Sequence, residues 1–529
     1  MTHTLTQLLL PLLRVALIAL AGLAAGCASL PPPEPQPPQS AIPGSPATEL
    51  GRVTAPFYAQ ATGLSAVRPV PQAGVALDAR LELMRRAQSS LDVQTYQIGN
   101  DKTGRLILRE LRDAARRGVR VRLLLDDFYT AGLDPLLLAL AAEPGAQVRL
   151  FNPFANGRGH MATRWLDFFT DFRRLNHRMH NKLFIADGAI AIAGGRNLAD
   201  EYFLRSDLAN FIDFELLMAG PVVQESASIF DSYWNSDVVY PVQRVAHAAE
   251  PAPQLAAAFE AATSEREAPR PEPPPATDVF GEPPLATQLA RGELKWMRAD
   301  AHAVADSPNK ALGIRPPGVQ TLAQQFHATL GTTAQSQVLV ISPYFIPGDE
   351  GMARIRAARE RGIRITVVTN SLADSDEPLV NVNYNRYRVA MLQEGVELLE
   401  VSTRQLRRSA QIRRLLRQAR GRLHAKLALL DNEWVLLGSM NLDPRSERLN
   451  TEFGVKVHSF ELAYALRIAY SLDSLEGVYR VELQPDKQNV QWVGTGDEHN
   501  EVLDDEPDSS LLTRLQLLLF SWFVPTDQL

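Results

Sequence analysis

His180-Asn181-Lys182-Leu183-Phe184-Ile185-Ala186-Asp187 returns 244 residues later as His424-Ala425-Lys426-Leu427-Ala428-Leu429-Leu430-Asp431. The chain holds 10 His, and only seven of its 54 basic residues are Lys. At that composition a His-x-Lys-x-x-x-x-Asp pattern is expected about 0.01 times by chance, yet it occurs twice. Both copies continue alike, through Gly194-Gly195-Arg196-Asn197 and Gly438-Ser439-Met440-Asn441, so an asparagine follows each histidine by seventeen residues. On a strand, side chains i and i+2 share a face. His180 and Lys182 therefore point together, as do His424 and Lys426, and each pair makes half a pocket. Asp187-Gly188 and Asp431-Asn432 are turn formers after short apolar runs, so the aspartates are expected to fix hairpins rather than touch substrate. That two of seven lysines lie here fits a need for compact ammonium groups at a phosphate.

Outward from the motifs the repeat persists. Ala114 to Val121 ends an Arg-rich helix at Gly118 and enters a buried strand over 119–125; Ala358 to Ile365 does the same through Gly362 and a strand over 363–369. Residues 91–98 and 338–346 are strand-like, with Tyr96 and Tyr344 at corresponding places. Strand, helix, strand, helix in both halves predicts two α/β units of one type, sharing a site between them.

The 529 residues carry 22 % charged and 45 % hydrophobic side chains and a net charge of −6. Those are globular values, which exclude a many-span membrane protein and argue against a bulk nucleic-acid neutraliser. A single cysteine can form neither an intramolecular disulfide nor a thiolate metal cage. Residues 15–25 are an apolar run of eleven after Arg14, too short to span about 30 Å of hydrocarbon but suited to a signal peptide. Ala25-Gly26-Cys27 follows and resembles a bacterial lipobox, in which the thiol is lipidated and becomes the mature N-terminus; an uncleaved anchor helix from Leu5 is the alternative. Eight prolines over 31–47 suggest a stiff tether, and a second proline-rich stretch over 249–285 a linker or insertion. The expected division is a signal peptide over 1–26, a tether over 27–50, an N-terminal domain over 51–248, a linker over 249–290, a C-terminal domain over 291–500, and an acidic segment with an apolar tail over 501–529.

With the motifs in hand, the chain resembles the phospholipase D superfamily with two HKD motifs, and within it the C-type bacterial cardiolipin synthases. The likeness runs over most of residues 75–480 and includes Leu123-Leu124-Leu125-Asp126-Asp127, Leu150-Phe151-Asn152-Pro153-Phe154, Arg178-Met179-His180-Asn181-Lys182, Thr369-Asn370-Ser371-Leu372-Ala373 and Asn441-Leu442-Asp443-Pro444-Arg445-Ser446. The chain departs from the subfamily in its tether, in the insertion over 249–285 and in the Arg-rich run before the second motif. The resemblance implies two fused α/β phospholipase D-like domains, each a mixed β-sheet flanked by helices, with the active site at their interface. It counts His180, Lys182, Asp187, His424, Lys426 and Asp431 as the catalytic set, with Asn197 and Asn441 as supporting donors. One imidazole attacks phosphorus to form a phosphohistidine and the other serves as acid and base; in the family the first-motif histidine, here His180, is usually the nucleophile, though sequence symmetry alone does not assign the roles. A nucleophilic imidazole needs its other nitrogen held, and the family places a carboxylate downstream of each motif, matched by Asp213 and Glu452.

The implied function is phosphatidyl transfer, giving cardiolipin from phosphatidylglycerol and a second phospholipid, with no metal or other cofactor. The alternatives are a phospholipase D hydrolysing phospholipids to phosphatidic acid, a nuclease or other phosphodiesterase, and a non-catalytic lipid-binding lipoprotein. The expected partners are phospholipids and a membrane surface reached through Cys27, not nucleic acid; the expected location is the bacterial cell envelope, facing the periplasm, with the outer membrane favoured because Ala28 is not Asp. Eight arginines over 404–422 read either as a solvated helix face or as a patch for anionic headgroups. Residues 511–524, with ten apolar side chains, read as either interfacial docking or simple packing.

Overall fold

The computed structural model describes residues 30–32, 34, 36–58, 63–292, 294–315, 317–469, 477–495, 501–509 and 517. Cys27 and all of the apolar tail except Leu517 lie outside them. Among the described residues no helix is long and apolar enough to cross a membrane.

The first half contributes β1 (Ser65–Val70), β2 (Ser90–Thr95), β3 (Arg120–Asp126), β4 (Ala146–Phe151), β5 (Leu183–Ala186), β6 (Ile190–Gly194), β7 (Ala209–Ile212), β8 (Glu215–Ala219) and β9 (Val239–Pro241). The second contributes β10 (Met297–Ala305), β11 (Gln337–Ile341), β12 (Arg364–Asn370), β13 (Glu397–Val401), β14 (Arg420–Leu423), β15 (Leu427–Leu430), β16 (Trp434–Gly438), β17 (Phe453–His458) and β18 (Val478–Leu483). Pairings run β9-β4-β3-β2-β5-β6-β8-β1 in one half and β18-β13-β12-β11-β15-β16-β17-β10 in the other, so the second order repeats the first. Both sheets are mixed, with β2–β3–β4 and β11–β12–β13 parallel. Parallel neighbours need crossover helices: Lys102–Arg116 leads into β3 and Gly348–Glu360 into β12, ending beside Gly118 and Gly362, whose φ values of +90° and +81° suit glycine.

The halves meet edge to edge. β1 pairs antiparallel with β10, Ala66 opposite Arg298, which makes one continuous sheet with a pseudo-two-fold between the repeats. A second joint crosses over the sheet ends, where β14 pairs in parallel with β7 and Met179 bridges to Thr451. One buried apolar cluster therefore spans both halves, from Leu183 and Phe214 to Leu427 and Phe453.

Both proline-rich stretches are built onto the first half. In the segment read as a tether, the amides of Gln39 and Ala41 donate to Asn235 and Asp231 at 2.9 and 2.7 Å. In the segment read as a linker, Ala252–Ala262 is a helix with Pro253 in its first turn, where a missing N–H costs nothing. Its Phe259 is buried under the Arg112 guanidinium, 5.5 Å from the ring centre. The alanines over 256–262 supply the helix propensity that the proline count conceals.

Candidate active site

Each histidine stands on the residue run entering the first strand of a hairpin, β5–β6 or β15–β16. Its backbone is fixed by the opposite half. The His180 amide donates to the Thr451 carbonyl at 2.8 Å, and the His424 amide to the Ile212 carbonyl at 2.8 Å. The preceding residue is clamped by equivalent positions of β3 and β12. Asp126 accepts from the Met179 amide at 2.8 Å, while the Asn370 side chain both accepts from and donates to the Leu423 backbone at 2.8 and 2.9 Å. Burial raises Asp126 to about 6, against the pull of Arg178 3.2 Å away.

The orienting carboxylates are exchanged between the halves. His180 Nδ1 lies 2.9 Å from Glu452 Oε2, and His424 Nδ1 lies 2.6 Å from Asp213 Oδ2. A carboxylate acceptor at Nδ1 puts the ring proton there and leaves Nε2 with its lone pair. All four groups are buried. Burial lowers His180 to about 4, against the pull of Glu452, and holds His424 well below its ordinary value. Asp213 is raised by burial, whereas Glu452 is kept below the usual carboxylate range by His180, Lys182 and the Ser439 hydroxyl, which donates to it.

Lys182 Nζ donates to the His180 carbonyl at 2.7 Å, and Lys426 Nζ to the His424 carbonyl at 2.5 Å while lying 2.9 Å from His424 Nδ1. Burial lowers the two ammoniums to about 7 and about 8. Each lysine feels the carboxylates of both halves, and each also depresses the other half's imidazole, which marks one shared pocket. An anionic phosphodiester entering it would stabilise both ammoniums and an imidazolium together.

The asparagines are less alike than their spacing. Asn197 Nδ2 donates to the Tyr202 hydroxyl at 2.7 Å and its Oδ1 accepts from the Gln97 amide at 3.3 Å. Asn441 is buried, and its Oδ1, an acceptor, has no protein donor. The aspartates stand apart from this cluster. Asp187 takes the amides of Gln88, Ser89 and Ser90 and the Ser89 hydroxyl, and Asp431 takes those of Gln335, Ser336 and Gln337 and the Ser336 hydroxyl. Both sit at φ near +50° at the hairpin turns. Five residues beyond the lysine, with about 3.3 Å rise per residue, each is at the far end of its strand. Through these bonds they lock the hairpins to β2 and β11.

Three neighbours of the site carry no repeat signal in the sequence. Tyr202 stands edge-on to His424 with ring centres 5.1 Å apart, as Tyr96 does to His180 at 5.1 Å. Asp376, on the loop after β12, adds negative potential at His424 and Lys426. Arg445 reaches from the second half to the Asn176 side chain of the first at 2.8 Å. Among the described residues no group of three or more His, Cys, Asp or Glu is placed to hold a metal ion.

The model of the cardiolipin synthase, phospholipase D-like domain matches residues 81–234 and again 330–470. The chain is 34 % identical over 481 residues to cardiolipin synthase C of Escherichia coli K12, covering 89 % of this chain and 98 % of that protein. It is 27 % identical over 414 residues to cardiolipin synthase A of Pseudomonas fluorescens, covering 77 % and 68 %. Among solved structures, phosphatidylserine synthase of Haemophilus influenzae aligns with a TM-score of 0.54 at 14 % identity, over 90 % of this chain and 98 % of that one, a likeness of fold.

Proposed function

The chain belongs to the cardiolipin synthase family of phospholipase D-like proteins, and from that premise we infer that it is a phosphatidyltransferase making cardiolipin from phosphatidylglycerol and a second phospholipid. The observation that carries the reading is the pair of exchanged dyads, which present two Nε2 atoms and two ammoniums to one pocket. With phosphatidylglycerol as donor, His180 Nε2 attacks phosphorus, the bond from phosphorus to the glycerol oxygen breaks, and protonated His424 gives its proton to that oxygen. Free glycerol leaves and a phosphohistidine remains. A hydroxyl of the second lipid then gives its proton to His424 and attacks phosphorus, the nitrogen–phosphorus bond breaks, and His180 is restored. Lys182, Lys426 and the Asn441 amide stabilise the charge on the non-bridging oxygens. Asn197 serves on its own side through its bond to Tyr202.

The reading is tested in vesicles of phosphatidylglycerol. Cardiolipin and glycerol should form in excess of phosphatidic acid. Mainly phosphatidic acid, with acceptor abundant, would replace the synthase by a hydrolase. We also place the protein in a bacterial cell envelope, anchored through lipidated Cys27 and facing the periplasm. Labelled palmitate should enter the wild-type protein and not Cys27→Ser; unlabelled wild-type protein retaining residues 1–26 would reject the lipid anchor.

A further inference from the structure

We propose that the helix Met161–Thr170 and the turn after it form a membrane contact independent of Cys27, seating the mouth of the active site on a phospholipid monolayer; the identity of that surface rests on the phosphatidyltransferase reading. Trp165 and Phe169 stand one turn apart at i and i+4 on this helix, and Phe172, whose ring meets that of Phe168 at 5.1 Å, opens the short helix Phe172–Leu175 after the break at Asp171. Trp165, Phe169 and Phe172 are 46 %, 71 % and 37 % exposed. Single exposed apolar residues are ordinary, but three large exposed aromatic rings so close together are not.

The cluster is held rigidly. Arg164, on the inner side of the helix, is buried and donates to the carbonyls of Asp127 and Phe128, the latter at 2.9 Å. Phe168 is buried with Phe154 and Leu175. The inner face is thus satisfied by the first half, and the outer face keeps its rings in solvent.

The exposed cluster is continuous with the chemistry. Ring centres step from His180 to Tyr96 at 5.1 Å, to Tyr129 at 5.3 Å, to Phe128 at 5.1 Å, to Trp165 at 5.7 Å and to Phe169 at 6.4 Å. A phospholipid must bring its phosphodiester to His180 while its acyl chains stay out of water. An unbroken aromatic wall from the imidazole to an exposed Trp and Phe meets both demands, because such rings settle at the boundary of headgroups and acyl chains. Arg173, exposed beside Phe172, adds attraction for anionic headgroups.

The test uses the full chain reconstituted in vesicles of phosphatidylglycerol and phosphatidylethanolamine with brominated acyl chains, which quench tryptophan fluorescence on contact. Trp165→Phe should remove part of the quenched emission, whereas Trp434→Phe should not. Trp165→Ser combined with Phe169→Ser should raise the vesicle lipid needed for half-maximal rate by about tenfold while leaving the rate at saturating lipid within about twofold. Quenching identical in wild type and Trp165→Phe would overturn the proposal, and would point to a second copy or residues 511–529 as the cover of this face. Trp165 quenched in an enzyme that makes no cardiolipin would leave the contact standing and sink only the assigned reaction.

Discussion

Asp213 Oδ2 lies 2.6 Å from His424 Nδ1, although the two residues belong to different copies of the repeat. Glu452 returns the exchange to His180 at 2.9 Å. The dyads are assembled only because the strand ahead of His424 pairs with the strand ahead of Asp213, and Met179 with Thr451. Asp213→Asn and Glu452→Gln should therefore each lower kcat by about 10²- to 10⁴-fold by losing the ring tautomer and orientation. Steady-state kinetics on phosphatidylglycerol check this; a loss below about threefold in both variants would deny the carboxylates a part in orienting the rings.

His180→Ala and His424→Ala should each abolish turnover, since both imidazoles serve one pocket. A brief reaction with donor labelled at phosphorus should leave acid-labile, base-stable phosphate on His180. Label on His424 alone would reverse the two roles.

Activity should follow a bell in pH. His180, lowered to about 4 by burial, is an unprotonated nucleophile above that pH, while Lys182 and Lys426, lowered to about 7 and about 8, lose charge as pH rises through those values. The acid limb of kcat/KM should lie near 4; because protonated His424 is the acid and burial holds it well below its ordinary value, the alkaline fall should begin below the ordinary histidine value of about 6.5 and steepen as the lysines lose charge through about 7 and about 8. An alkaline limb near the ordinary lysine range of about 10 would show that the ammoniums are not limiting. The same depression bears on stability. Between pH 6.5 and about 4 the unfolded chain holds a proton on His180 that the folded chain does not, so stability falls as pH drops through that window. Denaturant titrations at pH 7 and pH 5 should show this contribution as a difference in the midpoint shift between wild type and His180→Ala, which lacks the group.

The two hairpin aspartates should separate fold from chemistry. Asp187 is fully buried with four donors, so Asp187→Ala should cost about 3 kcal/mol or more. Asp431 has equivalent donors in a more exposed turn and should cost about 1–2 kcal/mol. Both variants should keep most of their kcat below their melting temperatures. A large loss of kcat in a fully folded Asp431→Ala protein would return that residue to the reaction.

Because ammonium and amide donors supply the charge stabilisation, turnover should survive exhaustive dialysis against EDTA. Loss of activity restored by zinc or magnesium would contradict this.

The duplicated His-x-Lys pattern was enough to read the two α/β units and the core of the pocket, because the period-two rule of a strand is local and the repeat makes it specific. The exchange of Asp213 and Glu452 was not readable: their distances along the chain from the two histidines say which carboxylates are eligible, not across which seam each is delivered. Tyr202 escaped for a related reason. It sits on the short helical turn Asp200–Phe203 and is brought to His424 only by the junction of β7 and β14. Proline content conceals the helix over residues 252–262, where the alanines and Phe259 outweigh it. Spacing likewise overstated the equivalence of Asn197 and Asn441, since only the first meets a tyrosine hydroxyl.

The reciprocal seam limits how this molecule can move. Many two-lobed enzymes admit substrate by swinging the lobes apart about a hinge. Here such a swing would strip both imidazoles of their carboxylates and break the β1–β10 join in the same stroke. Substrate entry that leaves the dyads intact therefore keeps the two halves joined. A single half expressed alone would be missing not half of its catalytic power but the orientation of the one histidine it still owns.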